Sequence, residues 1–434
     1  MTCHIVDDMF YTRGSQDDFD RWANVTGDSG WSWNSLIPYI LKSEKWTPPV
    51  DGHDTHGQFD PTVHGFNGMV STSLPDTRWQ IIASNVSEVP KELPSVFPFV
   101  KDMNSGKPLG LGWVQTTTGE GERSSSATAY LSNQFTSRKN LHVLVNTKVT
   151  RIIGNSRGFF TGVEIAGSSQ ILKTTKEIIL SAGAINTPQI LLNSGIGDMN
   201  QLNKLNIRTI LDLPSVGQNF TDHPRIVINL ATNTKLQDLA LNEWNHTRTG
   251  PYSGPTGTFI AWSRLPSDFP LLKGRGDSSA GPNSPHMELI PVIPSSVESV
   301  PGATGSMSIV VVSPKSRGSV TLNTSNPLGN PKIDPGFFTD PEGFDIATAI
   351  EAVKLTQTFY AAPIWKDYII ERTGPPANAT DAEIGDFLRN SVVTIFHGAS
   401  TAAMSPKGAK YGVVDPDLRV KGASGLRVVD ASVM

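Results

Sequence analysis

One cysteine in 434 residues, Cys3, leaves the chain without an internal disulfide framework or a thiolate metal cluster. No run of about 18 apolar residues occurs, which excludes a membrane-spanning helix. No G-x-G-x-x-G opens a helix, and Gly110-Leu111-Gly112 runs into Trp113, so no phosphate-binding turn is legible. A G-x-S-x-G elbow is also missing, which disfavours a serine hydrolase. Neither charge dominates: 36 Lys and Arg face 40 Asp and Glu, a net −4. That balance offers no electrostatic reason to bind nucleic acid or an anionic membrane, and a small neutral substrate is the simpler expectation. Residues 1–20 carry early acids and lack the apolar centre of a signal peptide. Asn-x-Ser/Thr sequons at Asn24, Asn85, Asn219, Asn245, Asn323 and Asn378 hint at secretory ancestry, and localisation stays open.

What is present reads as globular, with 38% hydrophobic and 18% charged residues over a length that suits two domains or one large composite. Short β-branched blocks at 141–153, 162–167 and 176–184 predict strands. INTPQILLNSGIG (185–197) then has helical spacing, with Thr187 as N-cap, Pro188 at the first helical position, and a stop at Gly195 and Gly197. A strand feeding a helix through small residues is an α/β connection of the kind that nucleotide-binding domains use. Residues 224–340 differ: Pro- and Gly-rich loops around SMSIVVVSP and SVTLNTS predict an antiparallel sheet. DIATAIEAVKLTQTFY (345–360) predicts an amphipathic helix with Ile346, Ile350, Val353 and Leu355 near one face.

Several local patterns have bland readings. Gly27-Asp28-Ser29-Gly30 echoes the run around a protease serine, but it precedes a helix start, and Asp28 and Ser29 read as turn and cap residues. His53 and His56 lie in a Gly-flanked loop with no third ligand spaced for zinc, so no metal site is expected. His397 is different: it lies between Phe396 and a ribbon of Gly, Ala, Ser and Thr in TIFHGASTAAMSP, with almost no side chain around an ionisable ring.

GAINTPQILLNSGIG (183–197) resembles the second signature of the glucose–methanol–choline (GMC) flavin oxidoreductases. MFYTRGSQDDFDRWA (9–23), GERSSSATAYL (121–131), PSVGQNFTDHP (214–224), HGASTAAMSP and VVDPDLRVKGASGLRVVDASVM stand around it in the family's order, over nearly the whole chain. The pattern is most similar to the fungal aryl-alcohol-oxidase branch, where an aromatic precedes the active-site histidine as Phe396 precedes His397. The resemblance implies an α/β and α+β composite: an incomplete Rossmann-like FAD-binding domain (1–60, 106–223 and 391–434) interleaved with an antiparallel-sheet substrate domain (61–105 and 224–390). It implies FAD as cofactor, a monomer, and oxidation of an aromatic or allylic primary alcohol to the aldehyde, in a setting such as fungal secondary metabolism. His397 would act as base on the hydroxyl while hydride leaves carbon for the flavin, a task suited to an imidazole titrating near neutrality. Phe396 would shape the pocket, the Val149 backbone would contact adenine, and Asp430 and Ala431 would lie near the pyrophosphate and flavin.

The chain also departs from that pattern. Met1-Thr2-Cys3 stand where a double glycine is expected, Asp7 replaces Asn or His, and His397 is followed by Gly-Ala-Ser-Thr, not Pro-Val-Gly-Thr. The expectation is of a sequence shortened at both ends relative to the family. The rival expectation is a non-catalytic scaffold that no longer binds FAD, with a non-redox isomerase or lyase as a third reading.

Overall fold

The computed structural model describes residues 8–77, 81–232, 240–255, 257–292 and 305–434; Met1-Thr2-Cys3 and Asp7 lie outside them. The larger framework is a seven-stranded antiparallel sheet. Its order is Ile369–Arg372, Pro224–Thr232, Gly305–Val311, Met287–Val292, Phe259–Ser263 and Gly110–Trp113, with Val393–Thr394 added beside the first residues of Pro224–Thr232. The sequence PRIVINLAT buries every second residue, as a strand with two different faces must. On one face Ile226, Ile228, Ala261, Leu289 and Ile309 share a core with the helices Ile81–Glu92, Phe344–Tyr360 and Asp381–Ser391. The other face presents Ile260, Trp262, Ile290 and Val292 to a thinner roof that includes Phe10, Val100, Met103, Val114 and Ile395. Gly110–Trp113 falls within the 106–223 segment that the family resemblance assigns to FAD binding. Its glycines let the chain at 98–100 cross closely, because a Cβ on Gly110 would stand 2.3 Å from the Pro98 carbonyl oxygen.

The expected helix at 345–360 forms as Phe344–Tyr360, but its buried face is different. Asp345, Thr348, Ala349, Ala352, Val353, Thr356 and Phe359 turn inward, whereas Ile346, Ile350 and Leu355 are only partly covered. Small side chains let the helix lie close to the sheet, and hydroxyls of Thr348 and Thr356 donate back to the carbonyls of Phe344 and Ala352 at 2.8 and 2.9 Å.

The second framework is assembled from distant parts of the chain. Ile178–Leu180 pairs in parallel with Leu426–Val428, and Ile171–Lys173, Phe160–Ile165 and Val149–Gly154 form an antiparallel three-stranded sheet. The strand expected from residue 141 starts only at Val149. Val143, Leu144 and Val145 are 46, 61 and 75% exposed, so their alternation faces no core. Between these elements runs the helix Gly183–Asn193, buried on nearly every residue. Its start corrects the expectation for Thr187 and Pro188. Gly183 opens the helix at φ 78°, and both later residues lie inside it. Pro188 has no N–H to give, so the Ala184 carbonyl accepts a hydrogen bond from the Thr401 hydroxyl at 2.7 Å instead. At the other end Gly195 (φ 81°) stops the helix, where a Cβ would meet the Arg208 carbonyl oxygen at 2.3 Å. No described helix is long and apolar enough to cross a membrane.

Candidate active site

Strand register brings two histidines together. Thr394 lies opposite Pro224, so the residue before Pro224 and the turn after Thr394 share one corner of the large sheet. There His223 Nδ1 and His397 Nδ1 stand 3.2 Å apart, with ring planes at 83°. Sequence patterning points to His397 but not to His223, although the latter ends the Asp-His of PSVGQNFTDHP.

Asp222 holds the corner in place. Its Oδ1 accepts from the backbone N–H of His397 at 3.0 Å and of His223 at 2.8 Å, and its Oδ2 accepts from the Thr394 hydroxyl. The Phe396 N–H donates to Thr394 Oγ1 at 2.8 Å. These bonds fix Phe396 at φ 64°, a conformation that costs a bulky residue about 1–3 kcal/mol and that surrounding structure must enforce. The residue is 78% exposed.

Two neutral rings sharing an Nδ1–Nδ1 hydrogen bond must divide the roles, one donating and one accepting. Burial first, then the neighbouring His397 and Arg317, pushes His223 down to about 3. At neutral pH His223 is therefore uncharged.

After His397 the small-residue ribbon is stitched on both sides. Ala399 exchanges two backbone bonds with Thr221 at 2.9 and 3.2 Å, and the Gly217 N–H donates to the Thr401 carbonyl at 2.8 Å. Ala402 and Met404 donate to the carbonyls of Ser432 and Val433 at 2.7 and 2.9 Å, and Ser400 to that of Ala431 at 3.3 Å. Gly398 is required by packing, since a Cβ would stand 2.7 Å from the Phe220 ring. Asp430 caps the buried helix from outside its own segment: one oxygen accepts from the Gly183 N–H at 2.9 Å and the Thr187 hydroxyl at 2.6 Å, the other from Ser432 N–H at 2.9 Å. A carboxylate there also meets the positive end of the helix dipole.

The structure thus gathers Phe396, His397, Asp430 and Ala431 along one ribbon. Val149 stands elsewhere, opposite Ile165 on the three-stranded sheet. That sheet is tied to the same helix by the Ile152 N–H donating to Ser194 Oγ at 2.8 Å. Beside Val149 a cleft of about 470 Å³ is lined by Lys148, Thr150, Glu164, Ala166 and Leu328. Among the described residues no group of three His, Cys, Asp or Glu is placed to hold a metal ion. His53 is engaged by Asp51 at 2.6 Å and Gln58 at 2.9 Å.

An antiparallel sheet set against a helix-and-ribbon unit is a fold this chain shares with FAD-dependent oxidoreductases of known structure. One such enzyme, from Chaetomium thermophilum, superposes with a TM-score of 0.84 at 27% identity, over 98% of this chain and 80% of that one. Family models described as GMC oxidoreductase match residues 4–225 and 314–434. The chain belongs to the GMC oxidoreductase family, whose usual cofactor is FAD and whose members include enzymes acting on CH–OH groups. It is 39% identical to dehydrogenase eriK of Hericium erinaceus, over 99% of this chain and 76% of that protein. It is 40% identical to pyranose dehydrogenase 3 of Leucoagaricus meleagris, over 100% of this chain and 75% of that protein. A fungal aryl-alcohol oxidase superposes with a TM-score of 0.81 at 26% identity, over 99% of this chain and 80% of the other.

Proposed function

We propose that this GMC oxidoreductase oxidises an alcohol at the corner formed by His397 and His223, with His397 as the base. The observation that carries the reading is the 3.2 Å contact between the two Nδ1 atoms. Because His223 stays neutral, it serves as acceptor for a proton on His397 Nδ1, which leaves the lone pair of His397 on Nε2 to take the substrate hydroxyl proton. Once His397 is an imidazolium, the same contact becomes charge-assisted and strengthens. Asp222 keeps both backbones still while this happens.

The residues suit FAD. The buried Ser432 hydroxyl has no partner among the described residues, the ribbon from Gly398 to Ala403 offers backbone with little side chain, and Ile179, Ile185 and Val429 leave an apolar patch beside Asp430. The chemistry that cofactor supplies when bound is acceptance of a hydride. Asp430 and Ala431 would hold it through the 430–433 backbone, and the cleft beside Val149 is a place of suitable size for the adenine end. On this reading 1–60, 106–223 and 391–434 serve the cofactor, while 61–105 and 224–390 serve the substrate.

The exposed Phe396 beside His397 supports an aromatic or allylic primary alcohol as substrate. A second reading, a pyranose, is favoured by relatives named pyranose dehydrogenase at 39–41% identity over the whole chain. His397→Ala in the FAD-loaded chain is expected to slow anaerobic flavin reduction by about 10² to 10⁴ while leaving flavin absorbance intact. Reduction at the wild-type rate removes the base role.

A further inference from the structure

Glu288 lies in the middle of the strand Met287–Val292 and is 6% exposed, yet it makes no hydrogen bond or ion pair among the described residues. Its register partners place it on the thinly roofed face of the large sheet. It stands opposite Trp262 on one side and Val310 on the other; Val310 stands opposite Arg225, and Arg225 opposite Val393. Two polar atoms in this row are buried without partners among the described residues, Trp262 Nε1 and Arg225 Nε. A buried polar group without a partner costs about 1–3 kcal/mol. Two such atoms beside a carboxyl that burial leaves 6% exposed are a concentration of cost on one face of one sheet, while the helix-covered face places apolar side chains in the same strands.

The row also adjoins the proposed alcohol site. Ile395, two residues before His397, packs against the cluster that contains Ile290, Glu288's neighbour on the same face. Arg225 follows His223 by two residues, at the second position of the strand that begins at Pro224. Burial alone raises the Glu288 carboxyl, to about 8, so at neutral pH it is an acid with a proton to donate.

We propose that Glu288 is a specificity-determining residue that donates a hydrogen bond to a second hydroxyl of a polyhydroxylated alcohol, of the pyranose class, held on this face. Trp262 supplies an indole face and N–H donor, Arg225 a further donor, and the ring hydroxyls satisfy what the protein leaves open. A monohydroxylated aryl alcohol leaves Glu288 as it is. The assignment rests on the alcohol site proposed at His397, and it selects the pyranose reading over the aryl one.

The test titrates D-glucose and benzyl alcohol separately into the full chain by calorimetry, with wild type, Glu288→Leu and Glu288→Gln. Glu288→Leu is expected to weaken D-glucose binding about tenfold or more and to leave benzyl alcohol within about twofold, while Glu288→Gln, which keeps a donor, stays within about threefold for both. Both variants are expected to melt no lower than wild type, because each removes a costly buried acid; a merely structural glutamate would lower the melting temperature on replacement. Should Glu288→Leu not fold, Trp262→Phe replaces it, with an expected loss of about threefold for D-glucose alone. Unchanged D-glucose affinity, equal weakening of both ligands, or a lower melting temperature in Glu288→Gln overturns the assignment. Binding of neither ligand by wild type overturns the alcohol site itself, an outcome distinct from intact binding that ignores Glu288.

Discussion

Glu44 and Glu288 are both buried glutamates on strands, and their surroundings treat them in opposite ways. Glu44 accepts from Arg13 at 2.6 Å, His64 at 2.7 Å, the Gly65 N–H at 2.8 Å and the Thr72 hydroxyl at 2.9 Å, and His64 turns its other nitrogen to Asp102 at 2.9 Å. Burial alone would raise the Glu44 carboxyl, but His64, Arg13 and Gly65 outweigh it and hold it below its ordinary value. Glu288 has none of these and is raised by burial without opposition. The first arrangement ties together four segments that are far apart in sequence. The second keeps a protonated acid beside the site where an alcohol would bind.

The largest expected effect comes from breaking the satisfied cluster. Glu44→Gln leaves Arg13 without its counter-charge and His64 with Asp102 alone, and is expected to cost about 3–5 kcal/mol, read from the midpoint of urea unfolding. For the unsatisfied acid the expected sign is reversed. Glu288 is charged in the unfolded chain above about 4.5 but neutral in the fold until about 8, so wild-type stability declines with rising pH across that window. Glu288→Gln is expected to remove that decline and to gain about 1–3 kcal/mol at pH 7, since each tenfold change in proton affinity between fold and unfolded chain is worth about 1.4 kcal/mol.

His64 gives a pH signature of its own. Burial favours its neutral form, but bonds to Asp102 and Glu44 prevail and raise it above 6.5. Its contribution is complete below the unfolded value near 6.5 and is lost as pH rises through the higher folded value. Melting curves of His64→Gln are expected to lose that decline above about pH 6.5 and to retain the Glu288 part below it. The smallest expected effect lies in the second framework, where Asp430→Ala removes a helix cap and is expected to cost about 1–2 kcal/mol by the same unfolding assay.

Motifs carried the family, and periodicity carried the large features: the helix after 183, the helix after 344 and the antiparallel sheet between them. The sequence misled where a long-range contact overrides a local rule. Thr187 and Pro188 have the form of a helix start, but Asp430 extends the helix to Gly183 from far along the chain. Val143 to Val145 alternate as a strand would and find no partner strand among the described residues. His223 was legible as a residue but not as a member of the site, because its pairing with His397 depends on the register of Pro224 against Thr394. Glu288 carried a faint signal, a lone acid in the apolar run HMELIPV, whose meaning appears only once its strand neighbours are known.

The parallel pairing of Ile178–Leu180 with Leu426–Val428 has a consequence for how the chain is made. On the ribosome the earlier strand emerges long before its mate, and the hydrophobic surface around the helix Gly183–Asn193 stays open through the synthesis of the whole sheet domain. Production in a heterologous host should therefore respond to slower translation, lower temperature and holdase chaperones more than to any change at the site itself.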